Sequence, residues 1–258
     1  MRLAPLMLLL LAAPPESTVD RDATRDVFDV VVIDPGHGGA DRGARGVAGG
    51  YEKDVVLRVA LRLGEVLEKR GLRVVYTRTR DRFLTLADRA TLANREHGDL
   101  YLSIHANWAL DHEARGPETY FLSLDATDED ALRVALVENQ VFGREATVPD
   151  GDDIVGPILG DLILTDHLRG SSEIAAAIQR NLARLPGPDR GVKQAPFVVL
   201  MGVNMPAALV EIGFMSHPEE AKRLGTRRYQ KRLAEALAKA VLSYRAARES
   251  AHERAAAR

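Results

Sequence analysis

Three residues that can bind a metal or transfer a proton lie within, at the end of or just after apolar runs that are typical of buried strands. His37 lies in the glycine-rich turn of "VVIDPGHGG", His105 ends "DLYLSIH", and Glu211 stands inside "AALVEIG". In open α/β sheets, ligands gather beyond the carboxyl ends of the strands. We therefore predict that these three side chains meet at one edge of a sheet, although they are far apart in the sequence.

A fourth candidate, Glu52, follows a glycine-rich loop and stands just before the first predicted helix. Glycine relieves the steric limits on backbone angles, so this loop can fold a carboxylate back toward His37. Two imidazoles and one carboxylate make a catalytic zinc set that leaves one position for water. The predicted ligands are then His37, Glu52 and His105, and Glu211 is the general base.

Each of these residues also has a structural interpretation. His37 alone could belong to a turn, Glu52 could favour a helix N-terminus, and Glu211 could form a salt bridge, since a carboxylate in a buried strand is costly unless it is paired or functional. Two histidines and a carboxylate also hold ferrous iron in oxygenases. We favour the zinc hydrolase because the iron alternative leaves Glu211 without a role.

Several classes of function are excluded by composition and motif. No Lys-Ser or Lys-Thr pair follows the glycine loop, and the third glycine of a dinucleotide fingerprint is absent. The formal net charge is -2 and both signs are interspersed, so no field predicts nucleic acid or an anionic membrane as a partner. The chain has no cysteine, which excludes disulfides and thiolate metal sites.

The elements that must position these residues alternate between strand-like and helical runs, which predicts an α/β fold with a mostly parallel sheet. Helix caps are predicted at Thr85 with Asp88 and at Ser216 with Glu219. The predicted strands are 28–34, 72–78, 99–105, 118–123, 197–200 and 207–213. The predicted helices are 54–70, 86–97 and a long amphipathic helix that begins near Arg228.

The two ends of the chain differ from this central pattern. Residues 1–20 place one arginine before a short apolar run and two alanines, a run too short to span a bilayer, so they predict a secretory signal peptide, with an unstructured N-terminus as the alternative. The catalytic domain is predicted over 27–247, and residues 248–258 are predicted to be a polar tail. We therefore expect a periplasmic or secreted protein without a membrane span in the mature chain.

Residues 125–170 interrupt the alternation and are predicted to be a helical insertion. The stretch from Asp125 to Asp153 is markedly acidic, and "GREATVPDGDD" within it is typical of an exposed loop between two helical segments.

Five blocks in order, "VVIDPGHGGADRGARG", "YEKDVVLRVA", "SIHAN", "RGVKQAPFVVL" and "PAALVEIGFMSHPEE", resemble the zinc-dependent N-acetylmuramoyl-L-alanine amidases of the bacterial cell wall. The resemblance is to the branch that includes the cell-division amidases, and it runs from about Phe28 to Tyr244. It implies about six strands in one sheet flanked by helices on both faces, and one zinc ion. The site residues that it implies are His37, Glu52 and His105 as ligands and Glu211 as the catalytic glutamate.

The implied substrate is peptidoglycan, hydrolysed at the amide between the lactyl group of muramic acid and L-alanine. In the division amidases a helical segment at the place of 125–170 occludes the zinc until an activator protein displaces it. Because "ALRVALVENQ" resembles the start of that segment, Glu138 is a candidate for a fourth, inhibitory ligand. The alternative is a solvated surface excursion. A zinc exopeptidase acting on other peptides and a non-catalytic wall-binding protein also remain open.

A few further polar residues also have a predicted role, and four of them, Arg78, Asp81, Arg89 and Asn94, match recurrent positions of the family. Asn107 either orients the substrate or closes the turn after its strand. His217 stands where the family usually has asparagine, and we interpret it as a helix-start residue. Hydrogen bonding within loops is predicted for Arg78, Asp81, Arg89 and Asn94.

Overall fold

The computed structural model describes residues 28–141, 144–145 and 158–257. The predicted signal segment 1–20 lies outside the described residues, as does most of the predicted loop "GREATVPDGDD". Within the described ranges, no helix combines the length and the apolar character that a bilayer span requires.

A six-stranded sheet with helices on both faces forms the fold, as predicted. Its strands are β1 (Val30–Pro35), β2 (Arg73–Tyr76), β3 (Leu100–Asn107), β4 (Glu118–Leu122), β7 (Val192–Ala195) and β8 (Ala207–Phe214). The helices are α1 (Glu52–Glu68), α2 (Leu86–Arg95), α3 (Glu129–Glu138), α4 (Ile158–Leu182), α5 (Val198–Met201), α6 (Pro218–Leu224) and α7 (Arg227–Ala256). A two-stranded ribbon, β5 (Gln140–Val141) and β6 (Arg144–Glu145), follows α3.

The strand order across the sheet is β2-β1-β3-β8-β4-β7. Strands β2, β1, β3 and β8 run parallel to one another, whereas β4 is antiparallel to β8 and β7 runs parallel to β4. The carboxyl ends of β1, β3 and β8 therefore lie at the same edge of the sheet. This topology confirms a mostly parallel sheet and brings His105 into register with Glu211 on the adjacent strand.

Alternate strand residues fill two cores, one on each face of the sheet, as expected for strands covered on both sides. Along β1, Val31 and Ile33 pack into the core under α1, α4 and α7, whereas Val32 packs into the core under α2, α3 and α5. Along β8, Val210 belongs to the first core and Leu209 to the second. The face that carries α3 is the one on which the odd-numbered residues of β8 lie.

The predicted cap of α2 is confirmed. The Thr85 hydroxyl accepts a hydrogen bond from the Asp88 backbone N–H at 3.1 Å, and the Asp88 carboxylate accepts one from the Thr85 N–H at 3.2 Å. The last helix, predicted from about Arg228, begins at Arg227. It continues to Ala256, so most of the segment predicted as a polar tail is helical.

The predicted capping pair of Ser216 with Glu219 is wrong by one residue. Proline favours the first position of a helix, and Pro218 occupies it, so the capping residue is His217, whose Nδ1 accepts a hydrogen bond from the Glu220 N–H at 3.3 Å. The interpretation of His217 as a helix-start residue therefore holds.

The strand predicted at 197–200 is also wrong, because Val198–Met201 form the short helix α5 and Phe197 is its N-cap. A buried apolar run of four residues is compatible with either a strand or a helical turn, so periodicity could not decide between them. The sixth strand is β7, just before Pro196, and only its last residue is fully buried. Its sequence "VKQA" carries too few apolar residues to be recognised as a strand.

Candidate active site

The turn after β1 has an unusual backbone conformation that presents the His37 side chain. His37 has a φ of +58°, which non-glycine residues rarely adopt, and such residues cluster at functional sites. Gly38, with a φ of +129°, lies so close to the next loop that a Cβ there would stand 2.2 Å from the carbonyl oxygen of Arg82. The glycines of this turn therefore satisfy a steric requirement of the fold.

Two buried arginines hold this turn in place by donating to backbone carbonyl groups. Arg78 Nη2 donates to the oxygens of Gly36 at 2.7 Å and of Lys53 at 2.9 Å, and so connects the turn to the start of α1. Arg89 Nη2 donates to the oxygen of His37 at 2.9 Å. Both arginines thus have the loop hydrogen bonds predicted for them.

Beneath the turn, the fully buried carboxylate of Asp34 balances the charge of Arg89, whose Nη1 donates to it at 2.7 Å. The hydroxyls of Thr77 and Ser103 also donate to Asp34. Burial alone would raise the pKa of Asp34, but Arg89 and Thr77 lower it to about 2. The aspartate therefore remains ionised and fixes one end of the turn.

Four side chains converge at the carboxyl edge of the sheet. One ligand atom from each lies within 4.8 Å of all the others, and the four could hold a metal ion. Glu52 lies 3.1 Å from His37 Nε2 and 3.1 Å from His105 Nδ1, and Glu138 Oε2 lies 3.3 Å and 2.8 Å from the same two nitrogens. The members of this cluster, called the metal cluster below, are His37, Glu52, His105 and Glu138.

The donor atoms of this cluster fit a transition metal. His37 Nε2 and Glu138 Oε2 are buried, and outside the metal cluster neither atom has a hydrogen-bond partner among the described residues. Behind His37, its Nδ1 lies 2.9 Å from a carboxylate oxygen of Asp41, and a carboxylate in this position orients a metal-binding imidazole. Two nitrogens and carboxylate oxygens are a donor set that zinc accepts.

The electrostatics of the cluster also favour a cation. Burial alone would lower the pKa of His105, but Glu138 and Glu52 raise it to about 10. Burial alone would raise the pKa of Glu52, but His37 and His105 hold it well below its usual value. The two carboxylates therefore stay negative, and their charge is compensated either by two protons on the histidines or by one divalent cation.

Glu211 lies next to this cluster, since it pairs with His105 across β3 and β8. It is fully buried, and neither carboxylate oxygen has a hydrogen-bond partner among the described residues. Burial raises the pKa of Glu211 well above its usual value, and the negative charge of Glu138 raises it further. A buried carboxyl group with a raised pKa is typical of general acid–base catalysts.

The metal cluster opens into a cavity of about 1060 Å³, which is large enough for a ligand of several residues. Trp108 and one side of α3, which carries Val134 and Val137 as well as charged residues, form part of its wall, together with several arginines. His37, Glu52 and Glu138 line the cavity at the metal cluster.

Sequence reasoning did not identify Glu118 and Arg190, which lie on the other side of Glu211. Glu118 is fully buried and stands opposite Glu211 in the β4/β8 ladder. It accepts hydrogen bonds from Asn107 Nδ2 at 2.7 Å and from Arg190 Nε at 2.8 Å. The acid at the start of the apolar run "ETYFLS" was the signal that could have revealed this network.

Comparison with known proteins agrees with this geometry. The Amidase_3 family, described as N-acetylmuramoyl-L-alanine amidase, matches residues 31–243. N-acetylmuramoyl-L-alanine amidase AmiA of Escherichia coli (strain K12) is 37% identical over 220 residues, which cover 83% of this chain and 75% of AmiA. For AmiC of Escherichia coli O6:H1 the identity is 34% over 225 residues, and the match covers 86% of this chain but only 54% of AmiC. The solved structure of AmiC2 of Nostoc punctiforme is 30% identical, with a TM-score of 0.64 over 84% of this chain and 96% of AmiC2.

Proposed function

We propose that this chain, which belongs to the Amidase_3 family of N-acetylmuramoyl-L-alanine amidases, works with one zinc ion bound by His37, Glu52 and His105. The family makes the chain a hydrolase of the amide bond between the lactyl group of muramic acid and L-alanine in peptidoglycan. The observation that supports the zinc site is the convergence of buried nitrogen and oxygen donors from distant segments of the chain within 4.8 Å.

In this proposal, zinc supplies a water that is activated near neutral pH and a positive charge that polarises the substrate carbonyl. Glu211 accepts the proton of the attacking water and then donates it to the leaving nitrogen of L-alanine. Its position supports this role, because β8 holds it beside His105 and no described residue occupies its oxygens. Burial also raises the pKa of Glu211, which makes its carboxylate a stronger proton acceptor.

We further propose that α3 inhibits the enzyme by bringing Glu138 into the metal cluster as a fourth ligand. Glu138 lies within 3.3 Å of both histidines, in a position where it would exclude a substrate carbonyl. The helix is attached to the core by small side chains, since its buried residues are Ala131, Val134 and Ala135. An activator protein could therefore displace it at modest cost, and the exposed Leu132, Leu136 and Val137 offer apolar contacts for such a partner.

We also propose that the protein acts in the periplasm or outside the cell. Its substrate lies beyond the cytoplasmic membrane, and the apolar pattern of residues 1–20 is typical of a secretory signal. Expression of the full chain followed by mass spectrometry of the exported protein tests this localisation.

The release of soluble fragments from dye-labelled sacculi tests the function. We expect release that a chelator abolishes and added zinc restores. Glu211→Ala should stop release while the protein still binds one zinc ion, as measured by elemental analysis. Glu65→Ala removes an exposed acid from α1 and is the matched control. It should leave both dye release and zinc binding unchanged.

Three outcomes would contradict this assignment. Loss of zinc from the Glu211→Ala variant would make Glu211 a ligand and not the base. Release of amino acids from soluble peptides without cleavage of the lactyl amide would favour an exopeptidase. Binding to sacculi without release, with zinc bound and α3 displaced by mutation, would favour a wall-binding protein.

A further inference from the structure

Four arginines line the cavity beside the metal cluster. Of these four, only Arg190 is held by a hydrogen bond to a buried side chain among the described residues, that of Glu118. The Arg190 side chain is 24% exposed, compared with 43% for Arg133, whereas Arg45 and Arg115 belong to exposed residues of loops. The guanidinium carbon of Arg190 also lies 5.0 Å from the centre of the Phe214 ring. This arginine is therefore held in one orientation, which lowers the entropy that a ligand must overcome on binding.

The buried network around Glu118 leaves part of this guanidinium available. Arg190 Nε donates to Glu118, which Asn107 and Lys193 also approach, at 2.7 Å and 3.5 Å. Among the described residues, the hydrogen bond of the Arg190 side chain is made by Nε, and neither Nη atom donates one. Glu118 lies on β4 and faces Glu211 across the ladder, so Arg190, in the loop before β7, is anchored to an acid next to the proposed base.

Helix α3 supplies a carboxylate to each end of the cavity. Glu138 reaches the metal cluster, and Asp130 Oδ2 lies 3.9 Å from Arg190 Nη2, close enough for charge attraction but too far for a hydrogen bond. The two acids are eight residues apart, which is about 12 Å along a helix. An extended peptide spans that distance in about four residues. Glu138 thus occupies the place at the metal cluster that a substrate carbonyl group would take. Asp130 lies near Arg190, where a carboxylate of the substrate peptide would lie.

We propose that Arg190 binds a free carboxylate of the stem peptide and makes the enzyme selective for peptides that carry this carboxylate over those in which it is a carboxamide. This inference rests on the proposed amidase mechanism and adds the determinant of peptide specificity. Displacement of α3 removes Asp130 together with Glu138, so both the metal cluster and Arg190 become available in one step.

The test compares two soluble muropeptides that differ only in whether the stem peptide carries carboxylates or carboxamides. We expect kcat/KM of the wild-type chain to favour the carboxylate form by about 10- to 100-fold, the range of a charge-assisted hydrogen bond. Arg190→Gln should reduce this ratio to near one, mainly by raising KM for the carboxylate form. Arg190→Lys should keep part of the preference, because it retains the charge but loses the planar donors.

Arg133→Gln, in the same cavity wall, is the matched control and should keep the wild-type ratio. A merely structural role of Arg190 would lower turnover of both substrates equally. That result, or a preference that survives Arg190→Gln but disappears in Arg45→Gln or Arg115→Gln, would overturn the proposal. If neither substrate is cleaved, the amidase mechanism fails first. In that case, calorimetric titration with the two free peptides still measures the preference for the carboxylate form. The titration compares the Glu138→Ala variant with the double variant that carries both Glu138→Ala and Arg190→Gln.

Discussion

Replacing Glu138 by alanine should raise the basal activity of the purified enzyme. In the structure, Glu138 reaches both histidines of the metal cluster from the last turn of α3. The alanine variant removes that carboxylate and keeps the helix, because the cap at Asp128 and the buried residues of α3 are unchanged. The cavity next to the cluster would then be open to the substrate without an activator.

The size of the effect follows from the contacts that are lost. Glu138 Oε2 lies 2.8 Å from His105 Nδ1 and 3.3 Å from His37 Nε2, so in the zinc-loaded enzyme it would face the bound cation, and a contact with a charged partner contributes about 1.5–3 kcal/mol. Since about 1.4 kcal/mol corresponds to a tenfold change in an equilibrium, we expect the open fraction to rise by roughly 10- to 150-fold. Basal turnover should rise by the same factor while the open state is still a minority.

Dye release from sacculi at equal zinc loading measures this change. Glu138→Gln should activate less than Glu138→Ala, because the amide oxygen still reaches the cluster. Glu129→Ala removes an exposed acid from the same helix and should leave basal release at the wild-type level. Unchanged release from the Glu138→Ala variant would refute the inhibitory role of α3 and would favour a solvated surface helix.

Three further predictions concern the supports of the site. Asp41→Asn should weaken zinc binding by about 10- to 100-fold, measured by competition with a chelator, because the carboxylate that orients His37 becomes neutral. Asp34→Asn should lower the free energy of unfolding by about 3–5 kcal/mol in urea titrations, because Arg89 loses its buried partner. Because the pKa of Asp34 is lowered to about 2 from 3.8, the stabilisation by this carboxylate is present above pH 3.8 and is lost as the pH falls toward 2. The stability of the Asp34→Asn variant should not fall in this way over the same pH range. Asn139→Ala should raise basal dye release, because the Asn139 side chain bonds to the backbone on both sides of residue 197 and holds the end of α3.

The residues that meet at the carboxyl edge of the sheet were predictable from the sequence, because a parallel arrangement leaves buried strands few ways to place their carboxyl ends. Once apolar runs ended in His37 and His105 and another contained Glu211, a parallel sheet had to bring their ends together. Glu52 required one additional inference, that glycines would let its loop fold back. In the structure the carboxylate of Glu52 is held there by the backbone N–H groups of Ala44 and Ala106, each at 2.9 Å.

The parts that escaped prediction depend on contacts between segments that local patterns do not encode. The run 197–200 became a helix because the chain must turn after Pro196 at the end of an edge strand, and an apolar run contains no information about that turn. Arg190 gave no signal on its own, because a single arginine in a loop is usually solvated. Only the pairing of β4 with β8 shows that it lies above a buried acid next to Glu211.

The four buried acids at this edge differ in the hydrogen bonds and charges that stabilise them, and this difference indicates which of them can move or react. Glu52 accepts two backbone hydrogen bonds, and Glu118 accepts hydrogen bonds from Asn107 and Arg190, so both are fixed in place. Glu138 is balanced only by the charges of the cluster, on a helix held by small side chains. Glu211 has no hydrogen-bond partner among the described residues. An ionised carboxylate without such a partner is costly in a protein interior, so this position is stable only if the carboxyl group holds a proton or faces a cation. The least compensated acids are therefore the two to which we assign change during the cycle, Glu138 as the ligand that leaves and Glu211 as the carrier of the proton.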